Sequence, residues 1–368
     1  MKKKALITGI SGQDGSYLAE YLLEMNYEVF GIVRRLSTAE HQTYRNEKTL
    51  KKLNLFYADL LDELSLLNII KSIKPDEIYN LAAMSHVRIS SEMPSFTIKT
   101  NSLGVLNILE ISRQILPNVK YYQASSSEMF GNSCDEDGFQ RLTTPMKPVS
   151  PYGCAKLLAY NLTCHYRSAY KMHACNGILF NHESPRRGSN FVSNKIIKTA
   201  VQIKKGNKIK LELGNLDSKR DWGHAYDYVR AIHKILNYEE PRDFIVSTGH
   251  AYSVRDFCKI TFDKLSLNYE DHVVINERFK RPQELSYLRG DSTETRELLN
   301  WKPKYTFEQM VDENSTDKFY DHSAVDKKAG LEEQINKIKI DWAGIEVHEA
   351  RMKKAFMLFG KYYRGLWD

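Results

Sequence analysis

The segment Gly9-Ile10-Ser11-Gly12-Gln13-Asp14-Gly15 lies between an apolar run at residues 5–10 and an amphipathic stretch at 16–25. A short apolar run bounded by turn residues reads as a buried strand, and apolar residues at helical spacing read as a helix. Three glycines between them allow a tight turn and let the backbone approach a ligand closely. A pyrophosphate suits that place, because unpaired N–H groups and the helix dipole at a helix start both favour an anion. The alternation then repeats. Strands are predicted at 27–33, 53–59, 77–83, 119–125 and 173–180, with helices at 62–73, 98–115 and 151–170. Strands and helices in strict alternation predict a parallel sheet covered on both faces.

The expected class is therefore α/β, a Rossmann-type doubly wound parallel sheet with a smaller C-terminal substrate-binding lobe. Beyond Phe180 the spacing loosens, with helices near 191–204, 224–236 and 253–265 and short strands at 208–213, 243–248 and 272–276. This divides the chain into a nucleotide-binding domain over 1–180 (some later segments returning to it), a substrate lobe over 181–311 and a C-terminal extension over 312–368.

The end of the second strand selects the cofactor. An acidic residue there accepts ribose hydroxyls, whereas arginine accommodates a 2′-phosphate. Here the strand ends in Arg34-Arg35 with no carboxylate in reach, so the expected cofactor is NADP. Its pyrophosphate falls to Gly9, Ser11, Gly12, Gln13, Asp14 and Gly15, and its adenine to Asp59 and Leu60. Leu81, Ala82, Ala83 and Ser85 would run beneath the ribose and nicotinamide.

Hydrophobic residues make up 42% and charged residues 27%, a globular balance that argues against disorder. The net charge of +7 is diffuse, without the dense basic run that marks a nucleic-acid groove, so no nucleic-acid partner is expected. No apolar stretch reaches membrane-spanning length, and no membrane association is expected. The five cysteines show no paired ligand spacing; they read as reduced thiols of a cytoplasmic protein with no metal site.

Tyr152-Gly153-Cys154-Ala155-Lys156 places a tyrosine and a lysine one turn apart on a helix that starts at Pro151. A neighbouring ammonium and a cationic nicotinamide favour the phenolate, which fits Tyr152 to exchange a proton with a sugar hydroxyl. Tyr44 and Lys48 match the same spacing but lie in a polar loop. Ser126 can bond the same substrate oxygen. Glu128, two residues further on, adds a second acid/base that a plain dehydrogenase or epimerase does not need. The four candidate catalytic residues are Ser126, Glu128, Tyr152 and Lys156.

The three-glycine spacing is that of the short-chain dehydrogenases, and further runs resemble one family closely. Gly9–Gly15 with Ser16-Tyr17-Leu18-Ala19-Glu20, Ala83–Val87, Gln123-Ala124-Ser125, Asn176–Gly188 and Arg220–His224 are similar to GDP-mannose 4,6-dehydratases from about residue 3 to 311. The resemblance implies a redox-neutral lyase reaction: hydride leaves C4, water leaves across C5–C6, and hydride returns to C6. It implies cofactor contacts from His182 and Arg187. It assigns the GDP-sugar to Ser85, Asn181, Val192, Lys195, Arg220, Arg281 and Glu284. A homodimer or homotetramer is implied as well, with the Arg35–Lys52 loop near a subunit contact. The chain departs from the family's usual pattern at Ser126 (commonly Thr), at Phe96 (commonly Tyr), in a longer 132–141 loop over the site, and in the unmatched tail. These departures leave GDP-mannose or a GDP-manno-heptose as the substrate. Other readings are a different nucleotide-sugar epimerase or dehydrogenase, or a non-catalytic NADP sensor on the same fold.

Overall fold

The computed structural model describes residues 2–35, 43–279 and 283–315 of the 368-residue chain. Among these residues the strands, in chain order, are β1 (Lys4–Thr8), β2 (Glu28–Val33), β3 (Asn54–Tyr57), β4 (Glu77–Asn80), β5 (Lys120–Ser126), β6 (Ala174–Leu179), β7 (Asn181–Glu183), β8 (Leu211–Leu213), β9 (Lys219–His224), β10 (Asp243–Val246), β11 (Ala251–Ser253) and β12 (Val273–Ile275). The helices are α1 (Gln13–Glu24), α2 (Glu63–Ile73), α3 (Val87–Glu92), α4 (Pro94–Ile98), α5 (Gly104–Ile115), α6 (Pro151–Tyr170), α7 (Val192–Lys204), α8 (Ala225–Leu236), α9 (Val254–Lys264), α10 (Thr293–Leu299) and α11 (Phe307–Ser315).

Seven strands form one parallel sheet in the order β10-β6-β5-β4-β1-β2-β3. The chain runs outward from β1 to β3 and then reverses to β4, so the switch point lies between β1 and β4. Ligands of such sheets bind at the carboxyl ends of the strands flanking that point. The strand side chains divide by alternation. Ala5 and Ile7 join a core with Leu18 and Leu22 of α1 and Ile232 and Ile235 of α8. Leu6 joins the opposite core with Leu66 and Ile70 of α2, Ile108 of α5 and Ala159 of α6. Each fully buried leucine contributes roughly 1.5–3 kcal/mol. Burial on both faces explains why these strands read as continuous apolar runs.

A third core, around Ile196, Trp222, Phe257 and Phe307, belongs to a smaller group of elements. There β9 pairs with β7 in parallel and with β11 antiparallel, and β8 pairs with β12.

The structure differs from the sequence pattern in three instructive places. The strand predicted at 77–83 stops at Asn80, because the N–H groups of Leu81 and Ala82 donate to Thr8 Oγ1 at 3.1 and 3.0 Å instead of continuing the ladder. The helix predicted at 98–115 begins at α4 and passes into α5 through a π-helical turn at Lys99–Leu103. The strand predicted at 243–248 leaves the smaller group and returns, as β10, to the edge of the main sheet beside β6. No helix among the described residues is long and apolar enough to cross a membrane.

Candidate active site

A cleft of about 740 Å³ opens at the carboxyl ends of β4, β5 and β6 and is closed on its other side by α7, β8 and the segment after β12. Of the Gly9–Gly15 turn, Asp14 lines this cleft, whereas Gly9, Ser11, Gly12, Gln13 and Gly15, like Ala82, do not. Gly9 has φ +69°, and a Cβ there would lie 2.9 Å from the Ala82 backbone. A Cβ at Gly15 would lie 2.3 Å from the Gly9 carbonyl oxygen. The two glycines thus let turn, helix and the β4 exit touch backbone to backbone. Helix α1 is preceded by Gly12, which offers no side-chain cap, and this leaves its first N–H groups for a ligand. This cradle fits the pyrophosphate of a dinucleotide.

The four candidate catalytic residues converge in this cleft. Ser126 ends β5, and its Oγ accepts a bond from the Glu128 N–H at 3.3 Å in the short 3₁₀ turn Ser127–Phe130. Helix α6 begins at Pro151 with Ser150 as its cap, accepting from Gly153 N–H at 3.0 Å. A Cβ at Gly153 would stand 2.8 Å from the Glu128 carbonyl oxygen, so glycine there lets the helix start press against the Glu128 turn. Glu128 and Tyr152 are each 8% exposed and Lys156 is 4% exposed.

The electrostatics differ from the sequence expectation. Burial pushes the Tyr152 phenol up to about 12; the Ser126 hydroxyl pulls it back and Glu128 pushes it further up. Lys156 Nζ donates to the Ala124 carbonyl at 2.8 Å and stands 5.8 Å from the Tyr152 ring centroid. Burial brings the Lys156 ammonium down to about 8, with Asp14 opposing that shift. The protein by itself therefore holds Tyr152 as a phenol, and the ammonium is directed at a backbone oxygen rather than spent on a phenolate.

Asp14, at the start of α1, ties the cradle to the far wall. Its Oδ2 meets His182 Nε2 at 2.8 Å, while His182 Nδ1 meets the Phe180 carbonyl at 2.7 Å. Burial works against the imidazolium, but the Asp14 charge and hydrogen bond outweigh it and the His182 pKa is raised. Gln13 adds bonds to the His182 carbonyl and from Ser184 Oγ. Both ring nitrogens of His182 are thus engaged within the protein. Arg187 Nε lies 3.0 Å from Glu183 Oε2, and its guanidinium covers the Phe191 ring.

Leu81, Ala83, Ser85, Asn181, Val192, Lys195, Arg220 and Glu284 also line the cleft. Arg220 is buried and donates to the Lys219 carbonyl at 2.8 Å. Lys195 Nζ donates to the Glu212 carbonyl at 2.5 Å. Arg34 and Arg35 lie exposed beyond the end of β2, and Asp59 and Leu60 beyond β3; none of these four lines the cleft. The Asp59 side chain accepts from Leu61 N–H, and Leu60 packs on Gly104. Arg281 falls outside the described residues, as do residues 316–368 of the extension. The 132–141 loop, expected over the site, contributes nothing to the cleft wall. It packs instead on 284–291, where Gln140 N–H donates to the Arg289 carbonyl and Asn132 Nδ2 to the Glu284 carbonyl.

Sequence patterns missed several residues that shape the site. Asn101, buried in the π-helical turn, accepts from Met84 N–H at 2.8 Å and donates to the Met84 carbonyl at 2.9 Å, fixing the Leu81–Ser85 wall. His86 caps α3, and its Nε2 meets the Asn190 carbonyl at 3.2 Å. Arg45 bonds the carbonyls of Ser11 and Arg186. The one available signal was Asn101, a polar residue inside an otherwise amphipathic helical pattern.

A parallel sheet of this order, a glycine cradle after β1, and a serine, tyrosine and lysine gathered from β5 and α6 define a member of the extended short-chain dehydrogenase/reductase class. Solved structures of similar shape include a dTDP-glucose 4,6-dehydratase from Bacillus anthracis in complex with NAD (21% identical, TM-score 0.74, 87% of this chain and 97% of that one). A UDP-glucose 4-epimerase from Thermotoga maritima with UDP-glucose is similar too (23% identical, TM-score 0.75, 86% and 98%). At such identities they speak for the fold alone. Residues 6–314 match the GDP-mannose 4,6 dehydratase family. Relatives include GDP-mannose 4,6 dehydratase 1 of Arabidopsis thaliana (47% identical, 84% of this chain and 88% of the relative) and GDP-mannose 4,6 dehydratase of Homo sapiens (45%, 84% and 89%). The chain belongs to the GDP-mannose 4,6-dehydratase family.

Proposed function

We propose that this protein is an NADP-dependent lyase that converts GDP-mannose to its 4-keto-6-deoxy product. The observation that carries the reading is the convergence of Ser126, Glu128, Tyr152 and Lys156 in one buried cleft whose opposite wall carries Arg220 and Lys195. A nicotinamide cofactor, when bound on the glycine cradle, supplies the acceptor and donor of the hydride exchanged with C4 and C6. Arg34 and Arg35, exposed where β2 ends, suit a 2′-phosphate and favour NADP over NAD. Tyr152 and Ser126 address the C4 oxygen, Tyr152 taking its proton as C4 is oxidised. Glu128 takes the C5 proton, made acidic by the adjacent carbonyl, and returns a proton to the C6 oxygen as it leaves as water. Arg220 and Lys195 face the diphosphate, for which permanently charged or multiply donating groups are suited. A homodimer or homotetramer in the cytoplasm is part of the same reading.

The 132–141 loop does not reach the cleft, so Ser126 alone is left to favour a heptose, by removing a methyl group beside the sugar. GDP-mannose is accordingly the first substrate to offer. The test is to incubate the protein with NADP and a panel of GDP-, UDP- and dTDP-sugars, GDP-manno-heptose included, and to follow loss of one water by mass spectrometry. Dehydration of GDP-mannose is expected. Epimerisation without mass loss, or turnover confined to UDP- or dTDP-sugars, would overturn the reading.

A further inference from the structure

A guanosine nucleotide is distinguished from others by two adjacent donors on its base edge, N1–H and the exocyclic 2-amino group. A carboxylate, with two acceptor oxygens, is the side chain that matches such a pair. The carboxylates lining the cleft, among the described residues, are Asp14, Glu128, Glu183, Glu212 and Glu284. Asp14 is held by His182. Glu128 sits with Tyr152. Glu183 is buried and accepts from Ser193 Oγ at 2.5 Å, with Arg187 at 3.0 Å. Glu284 is joined through its carbonyl to Asn132, on the loop that follows the Glu128 turn.

Glu212 differs in placement. It is the middle residue of β8, whose neighbours Leu211 and Leu213 go into the small core, so alternation turns Glu212 the other way. Asn276 Nδ2 and Arg278 bond the same carboxylate oxygen, Oε2, at 3.1 and 2.7 Å. Among the described residues Oε1 receives neither bond. Lys195 fixes the strand through the Glu212 carbonyl, and its Nζ lies 3.5 Å from the Phe279 ring centroid. Glu212, Lys195 and Arg278 line the cleft from β8, α7 and the segment after β12, a different wall from the one that β5, the Glu128 turn and α6 build around Ser126, Glu128 and Tyr152.

We propose that Glu212 determines base specificity, its carboxylate accepting the N1–H and 2-amino donors of guanine. This rests on the GDP-sugar reading above, and it assigns to the base a residue that the family resemblance did not single out. Arg278 and Asn276 are then positioning residues that hold the carboxylate in one orientation.

The test uses GDP and IDP, which differ by the 2-amino group alone, in equilibrium binding to the full chain, alongside turnover of GDP-mannose. Wild type is expected to prefer GDP about 10- to 100-fold, the range for a hydrogen bond to a charged group. Glu212→Ala should bring that ratio close to one, and Glu212→Gln, which keeps one acceptor, should leave it between the two. Glu284→Gln should keep the wild-type ratio. A ratio unchanged in Glu212→Ala, or one that collapses in Glu284→Gln instead, overturns the inference. The two readings separate cleanly. A GDP preference that depends on Glu212 in a protein that dehydrates no GDP-sugar would sink the proposed reaction and leave the base site standing.

Discussion

Replacing Lys156 by methionine should make the cofactor-free protein more stable while abolishing its proposed activity. The ammonium is fully buried, and burial has brought its pKa from 10.5 down to about 8. At pH 7 both the folded and the unfolded chain carry the proton, so the folded state bears the whole desolvation penalty. A gap of this size is worth about 3 kcal/mol, at 1.36 kcal/mol for each tenfold change in proton affinity. Methionine fills a similar volume without charge. It also leaves the Ala124 carbonyl without its 2.8 Å donor, a loss of about 1–3 kcal/mol. The net expectation is a gain of about 1–2 kcal/mol at pH 7. The sign with pH is fixed by linkage. Between pH 8 and 10.5 the unfolded chain holds the proton and the folded chain does not, so wild type gains stability as pH rises through that window. The advantage of the variant should therefore shrink by about 2 kcal/mol between pH 7 and pH 10. Urea unfolding of both proteins across that range measures it. A variant less stable than wild type at pH 7, with a difference that does not move with pH, would refute the account of Lys156 as a charge buried at the expense of stability.

Glu128→Gln should still bind cofactor and GDP-mannose but lose dehydration by about 10²–10⁴-fold, and should wash no solvent deuterium into C5, as followed by mass spectrometry. Arg35→Asp should weaken NADP binding by about 10- to 100-fold and spare NAD, measured by titrating both cofactors. Gly15→Ala places a methyl 2.3 Å from the Gly9 carbonyl. It should cost about 1–3 kcal/mol by thermal unfolding and reduce cofactor affinity, whereas an unperturbed variant would show that the turn is not backbone-packed.

The elements that were legible in the sequence are those whose signals are local. Helix α6 was predicted at 151–170 and is found there, because Ser150 and Pro151 supply a cap and a first turn and Lys171 ends the helix in the left-handed region. The inner strands announce themselves because both faces are buried. Strands β7, β9 and β11 were not legible. They are three to six residues long and include Asn181, Lys219, Arg220 and Asp221, which read as loop. What makes β9 a strand lies far away in sequence. Asp221 is fully buried and accepts from Thr248 N–H, Thr248 Oγ1 and Gly249 N–H, at 2.7–2.8 Å, across 27–28 residues. The Asp14–His182 pair joins residues 168 apart. Residue types at the site could be read from motifs, but which of them are already committed to each other required the folded chain.

That commitment bears on the order of proton transfers. Glu128 raises the Tyr152 pKa, so a negative charge on one disfavours a negative charge on the other. The Glu128 carboxylate therefore favours the neutral phenol of Tyr152. In the proposed reaction Tyr152 becomes that neutral phenol when it takes the C4 proton, and the Glu128 carboxylate then takes the C5 proton and passes a proton to the departing C6 oxygen. Holding both in one buried cleft, with Lys156 turned to a backbone carbonyl and His182 balanced by Asp14, limits the negative charge that the site carries at one time. The same burial that opposes a lone phenolate also strengthens its response to any cation placed beside it, since charges interact more strongly where water is excluded. The resting tyrosine is therefore a phenol, and a cation held beside it, such as an oxidised nicotinamide ring would supply, would lower its pKa.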